Sequence, residues 1–280
     1  MILFKHAGAL SEHLQGQKNI GKTVGFVPTM GALHEGHLTL ISQCRSENDI
    51  TVCSIFVNPT QFNNPEDFKH YPVTISKDIE HLVAAGCDIL FLPSTSEIYP
   101  SEYLKKHYDL GAIEHALEGY YRPGHFQGVC EVVDRLLDII TPDNLYLGQK
   151  DFQQCMVIKK FLEITGRELK VALHICPTKR ESSGLAMSSR NLRLTSEEKV
   201  LAVSIYKELE NIKMKLLQTS LEDLKKNARE NLTQQGFKVD YVEIARAGDL
   251  NPSENPADAN VALIAAGIGN VRLIDNLLLN

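Results

Sequence analysis

The sequence predicts an α/β protein: a Rossmann-like, mostly parallel sheet with helices on both faces, followed by a smaller α+β domain. Up to residue 176, short apolar runs alternate with helical patterns, which is typical of βαβ units. Beyond residue 177, two charged helical patterns precede three apolar runs, which is a different rhythm. Because 280 residues are many for one compact core, we expect two domains, 1–176 and 177–280.

The elements of the first domain follow from periodicity and from the residues that interrupt it. Apolar, β-rich runs predict strands, and apolar residues spaced three or four apart predict helices. Pro28, Asn58-Pro59 and Pro93 each end a run, and Gly86 ends a helix. The predicted strands are 23–27, 50–57, 87–92, 145–147 and 169–176, and the predicted helices are 34–46, 74–85, 126–140 and 151–164.

The second domain begins with a capping box, Thr195-Ser196-Glu197-Glu198. This signal predicts a long amphipathic helix to about residue 217, followed by a charged helix at 220–234. Three apolar runs then predict strands at 237–246, 261–266 and 271–278. Helices followed by strands are typical of a small α+β domain.

Composition limits the partners of this chain. The formal net charge is −6, which argues against general nucleic-acid binding, because such binding needs clustered Lys and Arg. No stretch approaches the roughly 18 uninterrupted apolar residues of a membrane span, and the apolar start is too short for a signal peptide. We therefore expect a cytoplasmic protein that binds neither nucleic acid nor membrane. The six cysteines form no C-x-x-C pair and are interpreted as buried, reduced thiols.

Polar clusters follow directly after four of the predicted strands. They lie at residues 28–37, 58–62, 148–151 and 177–180, and a fifth cluster at 187–190 lies at the domain junction. In a parallel sheet with right-handed crossovers, the carboxyl ends of the strands share one edge, and ligands bind there. The sequence therefore predicts that residues far apart along the chain form one site.

The first cluster contains the H-x-G-H element His34-Glu35-Gly36-His37. Residues three apart share a helix face, so both imidazoles can point at one ligand. A helix N-terminus adds N–H donors and a positive dipole end, and Gly36 would let a phosphate approach the backbone. The alternatives are a pair of surface histidines or two zinc ligands. The preceding strand and the internal glycine favour a phosphate site.

Two further clusters carry cations. Lys150 and Asp151 open a helix, where a lysine can reach a phosphate as a mobile charge. The alternative is an exposed pair of residues at a helix start. Arg190 follows Ser188 and Ser189, and such a hydroxyl-rich loop can surround phosphate oxygens, although the tripeptide is common in loops.

The cluster at 58–62 is uncharged. Asn58 and Gln61 carry amides, which both donate and accept hydrogen bonds and can therefore orient a hydroxy acid. The alternative is a turn that satisfies its own amides, since Asn-Pro often starts turns. Residues 121–126 place a Pro-Gly turn between a cation and an imidazole, as either a mobile lid or a surface loop. The sequence has no P-loop, no G-x-G-x-x-G fingerprint and no G-x-S-x-G elbow.

Together these segments resemble the pantothenate synthetase family of the nucleotidyltransferase superfamily. The similarity lies in residues 26–37, 56–62, 121–128, 148–154 and 184–190. H-x-G-H alone indicates the superfamily, whereas its combination with Asn-Pro-x-Gln-Phe and Gly-x-Lys-Asp-x-x-Gln is specific. The resemblance implies a Rossmann-like N-terminal domain, a lid-like C-terminal domain and a homodimer. It also implies that pantoate and ATP-Mg²⁺ give pantoyl-adenylate and pyrophosphate, after which the amine of β-alanine attacks to give pantothenate and AMP.

The resemblance further implies three sets of site residues and no ligand for a resident metal. The implied catalytic set is His34, His37, Lys150 and Arg190. The implied pantoate site is Gln61, Gln154 and Asn58, with Gln61 also on β-alanine. The implied ATP site is Met30, Gly31, Ala32, Leu33, His34, Glu35, Gly36, His37, Gly148, Gln149, Lys150, Asp151, Lys179, Met187, Ser188, Ser189 and Arg190. Lys179 stands where the family usually has an apolar residue against the adenine.

Two other functions stay open at this point. One is an H-x-G-H enzyme that transfers a nucleotide to a phosphorylated acceptor, whose acceptor pocket would need additional cations. The other is a non-catalytic nucleotide sensor of the same fold. The chemistry favours the ligase, because a carboxylate is already a nucleophile at neutral pH and adenylation needs positioned cations and donors.

Overall fold

The computed structural model describes residues 1–63 and 65–280, and its first part is a sheet of parallel strands. The strands are β1 (Ile2–Phe4), β2 (Val24–Thr29), β3 (Ile50–Ile55), β4 (Ile89–Phe91), β5 (Asn144–Gly148) and β6 (Ala172–Cys176). Their order across the sheet is β1-β4-β3-β2-β5-β6, and every neighbouring pair is parallel. The predicted Rossmann-like sheet is thereby confirmed.

Helices cover both faces of this sheet, as predicted. They are α1 (Ala7–Asn19), α2 (Glu35–Glu47), α3 (Pro65–Lys69), α4 (Ile75–Ala84), α5 (Thr95–Ile98), α6 (Glu118–Tyr121), α7 (His125–Ile140) and α8 (Phe152–Ile164). Short 3₁₀ helices lie at Pro59–Gln61, Gly111–Glu114, Gln149–Asp151 and Arg167–Leu169. Phe26 of β2 joins the core that contains α1, α7 and α8, whereas Val27 joins the core that contains α2 and α4. This alternation is the period of two that a strand buried on both faces requires.

The strand order reverses direction at β2. From β2 the chain proceeds to β3 and β4 on one side and later to β5 and β6 on the other. β2 pairs with β5 only at Gly25 and Phe26, so the carboxyl ends of these two strands are left unpaired with each other. A crevice at such a switch point is where α/β sheets bind ligands. The loops after β2 and β5 carry the first and third polar clusters.

The C-terminal part forms the predicted α+β domain. It contains a 3₁₀ helix (Ser189–Arg193), α9 (Ser196–Lys215), α10 (Leu221–Gln234), β7 (Lys238–Arg246), β8 (Asn260–Ile268) and β9 (Val271–Leu278). The strands form an antiparallel sheet in the order β7-β8-β9. The capping box is present: the Thr195 hydroxyl accepts from the Glu198 N–H, and the Glu198 carboxylate accepts from the Thr195 N–H.

The small sheet is buried on both faces. Ala262, Ile264 and Ala266 of β8 pack in the core formed with α9 and α10. The alternate residues Val261 and Leu263 pack with residues of α8 in a second cluster, described below as the inter-domain cluster. The inter-domain cluster consists of Phe152, Met156, Tyr241, Ala245, Leu250, Val261, Leu263 and Ala265. The predicted boundary between residues 176 and 177 falls at the end of β6 and stays a prediction.

The sequence analysis assigned no element to the first nineteen residues, where β1 and α1 lie. α1 buries only Leu10 and Leu14, and its first residue is preceded by a His6 that forms no capping hydrogen bond, so its local signal is weak. The six cysteines, all within the described residues, are buried and free, in agreement with the prediction. None of the helices in the described ranges combines the length and apolar character of a membrane span.

Candidate active site

A cavity of about 230 Å³ lies at the carboxyl edge of the parallel sheet, where the clusters meet. It brings together most of the predicted site residues, which come from four strand ends and from the domain junction. Those lining it are Met30, His34, Gly36, His37, Asn58, Gln61, Gly148, Lys150, Asp151, Gln154, Lys179, Met187, Ser188, Ser189 and Arg190. Five predicted ATP contacts lie outside this lining: Gly31, Ala32, Leu33, Glu35 and Gln149.

The two histidines of the H-x-G-H element hold the start of α2. The Nδ1 atom of His34 accepts from the Gly36 N–H at 3.2 Å, and the Nδ1 atom of His37 accepts from the His34 N–H at 3.4 Å. Burial lowers the pKa of His34 to about 4 and that of His37 to about 3, and the Lys150 charge adds to both shifts. Both rings are therefore neutral near pH 7 and carry their proton on Nε2, as donors.

This arrangement corrects two details of the sequence analysis. The N–H groups of His34 and Gly36 are used within the cap, so they are not free donors for a phosphate. Gly36 is needed for a different reason: a Cβ there would lie 2.9 Å from the His34 ring. The zinc alternative also loses support, because the described residues contain no group of three or more metal-binding side chains. The Nε2–H groups of the two rings remain as side-chain donors.

Lys150 and Asp151 face the cavity, and the lysine side chain is the more buried of the two, 18% exposed against 46%. The Lys150 ammonium lies 3.2 Å from the Asp151 carboxylate, and both side chains line the cavity. Although burial opposes it, the charge of Lys150 holds the pKa of Asp151 below its ordinary value, so the carboxylate is ionised. Asn276 of β9 donates to the carbonyls of Gln149 and Lys150, at 2.9 and 2.8 Å. The C-terminal domain therefore fixes the loop that carries the lysine.

Arg190 reaches the cavity from the domain junction. Its guanidinium donates to Asp67 at 2.8 Å, and Arg193 binds the other oxygen of the same carboxylate. Ser188 caps the short helix by accepting from the Arg190 N–H, and the Ser189 hydroxyl lies 3.2 Å from the Tyr71 hydroxyl. Arg190 is thus held by one carboxylate at the mouth of the cavity.

The uncharged side of the cavity is built on Gln61. Asn58 donates to the Gln61 Oε1 at 3.1 Å and to the Gly128 carbonyl at 3.0 Å. The Asn58 oxygen accepts from Thr60 and from the Tyr99 hydroxyl, so this nearly fully buried amide is satisfied internally. Asn58 therefore orients Gln61 and has no group left for a substrate, in contrast to the expected pantoate contact.

Gln154 behaves differently from Asn58. It lines the same cavity from α8, and its amide has no hydrogen-bond partner among residues 1–63 and 65–280. Its neighbour Gln153 is buried and ties the segment 113–118 to α8 through three hydrogen bonds. Gln61 and Gln154 are thus the two amides that a polar substrate can meet.

Residues 121–126 connect α6 to α7, with Tyr121, Pro123 and Gly124 exposed and the last two residues buried. His125 and Phe126 begin α7 and are buried, and His125 Nδ1 lies 2.8 Å from the Gln61 carbonyl oxygen. Burial lowers the pKa of His125 to about 3. Arg122 lines the cavity as a cation that the sequence analysis noted only as part of a turn.

Glu118, which the sequence analysis missed, ties this segment to the C-terminal domain. It forms a bidentate pair with Arg272 of β9, at 2.7 and 2.8 Å, and accepts from the Tyr241 hydroxyl. Arg122 lies 3.7 Å from the same carboxylate. No local signal marks Glu118 in the sequence, because its partners are far away along the chain.

Lys179 is exposed at the rim of the cavity. Its carbonyl accepts from the Met187 N–H at 3.0 Å, which brings the clusters at 177–180 and 187–190 together. Its backbone N–H has no partner among the described residues. The backbone N–H of Lys179 is therefore free to donate to a base. Such a backbone contact does not depend on which side chain stands at position 179.

The cavity lining combines cations, neutral imidazoles and amides. Lys150, Arg122 and Arg190 line it together with the two neutral imidazoles. The carboxylates Glu118 and Asp275 line the cavity but are paired with Arg272 and Arg180 respectively. Gln61 and Gln154 add uncharged amides, and apolar side chains of α7 also line the cavity. This arrangement suits a triphosphate beside a small, polar organic acid.

A parallel α/β sheet with cations and imidazoles in the cavity at its switch point defines a protein that binds an anionic ligand at the carboxyl edge of its strands. A family model described as pantoate-beta-alanine ligase matches residues 2–278. The pantothenate synthetase of Cytophaga hutchinsonii is 45% identical over 286 residues, covering 100% of this chain and 99% of that protein. The chain therefore belongs to the pantoate–β-alanine ligase family.

Solved structures agree with this assignment. Pantothenate synthetase from Thermus thermophilus has a TM-score of 0.93 at 36% identity, covering 100% of this chain and 99% of that one. The pantoate-beta-alanine ligase from Francisella tularensis, complexed with beta-gamma ATP and beta-alanine, has a TM-score of 0.83 at 38% identity. That match covers 99% of this chain and 97% of the other. Both likenesses extend over the whole of the two-domain architecture.

Proposed function

We propose that this enzyme joins pantoate to β-alanine at the expense of ATP, through a pantoyl-adenylate, and releases AMP and pyrophosphate. The observation that carries the proposal is the joint presence of cations, neutral imidazoles and uncharged amides in the lining of one cavity. Family membership supports the overall ligation, and the site chemistry supports the route. A homodimer in the cytoplasm, as the resemblance implies, is part of the same proposal.

In the first half-reaction the pantoate carboxylate attacks the α-phosphorus of ATP, and the bond to pyrophosphate breaks. No general base is required, since the carboxylate is already ionised. Charge grows on the phosphates, and positioned donors and cations stabilise it. We assign this role to His34, His37, Lys150 and Arg190, with Arg122 as an additional cation. Gln61 and Gln154 would hold pantoate in line with the phosphorus.

Mg²⁺ would arrive with ATP and neutralise part of the triphosphate charge. The ionised carboxylate of Asp151 lies in the cavity beside Lys150, which is a suitable position to face such an ion. The adenine would lie near residues 179–187, where the free N–H of Lys179 can donate to the base. These assignments concern the nucleotide site as a whole.

In the second half-reaction the unprotonated amine of β-alanine attacks the acyl carbon of the adenylate. The carbon–nitrogen bond forms, the bond from the acyl carbon to the AMP oxygen breaks, and the nitrogen loses a proton. The acyl-adenylate hydrolyses if water has access, so a covered site is an advantage. The C-terminal domain, which lines the same cavity through Tyr241, Leu263 and Asn276, supplies part of that cover.

The rival transfer to a phosphorylated acceptor fits less well. Its acceptor would need cations in addition to those that serve the triphosphate, whereas Gln61 and Gln154 contribute uncharged amides to the cavity. Rapid-quench analysis with ATP, Mg²⁺ and pantoate tests the route: we expect pyrophosphate and an enzyme-bound adenylate, and β-alanine should then yield pantothenate and AMP. An acylated side chain, or pyrophosphate release without a hydroxy acid, would contradict the proposal.

A matched pair of lysine variants sharpens this test. Lys150→Ala should abolish most adenylation, because it removes a cation from the cavity. The control is Lys160→Ala. Lys160 lies on α8, the helix that follows Lys150, and its exposed side chain pairs with Glu163 at 3.6 Å. This variant should leave both half-reactions unchanged, and a similar loss in both variants would show that the effect is not local to the site.

A further inference from the structure

The turn between β2 and α2 has an unusual backbone. Gly31 has φ 82° and Ala32 has φ 49°, so two consecutive residues occupy the left-handed region. For alanine this conformation costs roughly 1 kcal/mol and persists only where the surroundings hold it. The turn lies between Met30 and His34, both of which line the cavity. Its shape therefore decides where these two side chains point.

Asp78 of α4 holds this turn from beneath. One carboxylate oxygen accepts from the Ala32 N–H at 3.0 Å, and the other accepts from the Leu33 N–H at 2.8 Å. The Thr74 hydroxyl donates to the second oxygen at 3.1 Å. Asp78 is 1% exposed, and a Cβ on Gly31 would lie 3.1 Å from its carboxylate, so the turn and the carboxylate fit closely.

The backbone connects the residues that this carboxylate holds to both histidines. Asp78 fixes the N–H of Leu33, and the next residue, His34, donates its own N–H to the Nδ1 atom of His37. Charge-assisted bonds to a carboxylate are shorter and stronger than neutral ones. Asp78 itself does not line the cavity, so it has no direct contact with a substrate.

We propose that Asp78 is a positioning residue for adenylation, which fixes the left-handed turn and through it the imidazoles of His34 and His37. This inference rests on the proposed role of the histidines at the phosphates. An asparagine at position 78 could accept one of the two N–H groups but would direct its own amide hydrogens at the other. The turn would then lose one bond and relax.

The chain offers a matched control at the other end of the same strand. Asp143 accepts from the N–H of Val24, the first residue of β2, at 2.8 Å. It therefore also holds β2 through a carboxylate-to-backbone bond, but at the edge opposite to the site. Asp143→Asn should lower the melting temperature without a selective effect on either half-reaction.

The experiment compares single-turnover rates of the two half-reactions in Asp78→Asn, Asp143→Asn and His34→Ala, at a temperature where each is folded. For Asp78→Asn we expect adenylation to slow by about 10²-fold, because a misplacement of about 1 Å is that costly. The attack of β-alanine on preformed adenylate should change by less than about threefold. Nitrogen-15 spectra of the imidazoles should also lose the signature of an accepting Nδ1 in Asp78→Asn but keep it in Asp143→Asn.

Adenylation within about threefold of wild type, or an equal loss in both half-reactions, would overturn the proposal. If Asp78→Asn does not fold, Thr74→Val decides by the same comparison, since it removes one bond that orients the carboxylate. The His34→Ala variant separates the two levels of the argument. If His34→Ala has no effect, the assigned role of the histidine fails. If only His34→Ala slows adenylation, the positioning role of Asp78 fails.

Discussion

Replacing His37 by alanine tests the charge state on which the proposed chemistry depends. The variant removes one hydrogen-bond donor from the cavity. Losing one donor to a transition-state charge typically slows a reaction by about 10²–10³-fold. We expect a loss of that size in adenylation and a smaller one in the attack of β-alanine, because that step does not release pyrophosphate.

The structure also indicates which donor is needed. With a pKa of about 3, His37 would be protonated in only about one molecule in 10⁴ at pH 7. The Nδ1 atom already accepts from the His34 N–H, so the proton of the neutral ring is on Nε2. A glutamine can accept through its oxygen and donate through its amide. His37→Gln should therefore recover part of the rate, and the adenylation rate should show no titration of this histidine between pH 6 and 8.

Single-turnover measurement of pyrophosphate release, from pH 5.5 to 8.5, gives both the adenylation rate of each variant and its dependence on pH. His13→Gln is the control, because His13 lies on α1 and stacks against Phe4, away from the cavity. Two results would refute the reasoning. One is adenylation in His37→Ala within about threefold of wild type, which would make His37 structural. The other is a wild-type adenylation rate that falls as pH rises through about 6.5, with that fall absent in His37→Gln, which would show that the charged ring is required.

Three further predictions follow from the same geometry. Gln61→Ala should weaken pantoate binding far more than ATP binding in isothermal titration, and equal losses would contradict the assignment. Asn276→Leu should destabilise the fold by about 1 kcal/mol in urea unfolding, because two partly buried carbonyls lose their donor, and it should slow adenylation by displacing Lys150. The free energy of unfolding should fall as pH decreases from about 6.5 towards 4. Buried histidines such as His125 have a lowered pKa in the folded protein, so over this range the unfolded chain binds more protons than the folded one. A stability that rises over this range, or a slope unchanged by His125→Asn, would argue against the last prediction.

The sequence predicted the elements of the parallel sheet well, because their signals are local. Apolar runs ended by Pro93 or by Asn58-Pro59 correspond to β4 and β3, with bounds that differ by a few residues. The site followed from one topological rule, that parallel strands end at a common edge. By contrast, the bonds of Asp78 to Ala32 and of Asn276 to the 149–150 loop join residues more than forty positions apart. No pattern within a segment reveals such partners.

Asn58 also shows that residue type and position alone do not reveal the hydrogen-bond partners of a side chain. Its residue type and position fitted a substrate contact, and it does line the cavity. Only the three-dimensional arrangement shows that Gly128 and Tyr99 use its amide. The pKa values of the histidines likewise depend on burial, which residue spacing cannot measure.

The inter-domain cluster has a consequence for taking this protein apart. Phe152 and Met156 of α8 pack against Tyr241 and Leu263, so each domain covers an apolar face of the other. A fragment ending at residue 176 would display that face to water and should aggregate when expressed alone. When it is co-expressed with 177–280, the two fragments should associate through this apolar face, and the pairing of Glu118 with Arg272 should stabilise the complex. A cut at this point could therefore yield a two-fragment reporter in which pantothenate formation signals that the halves have met.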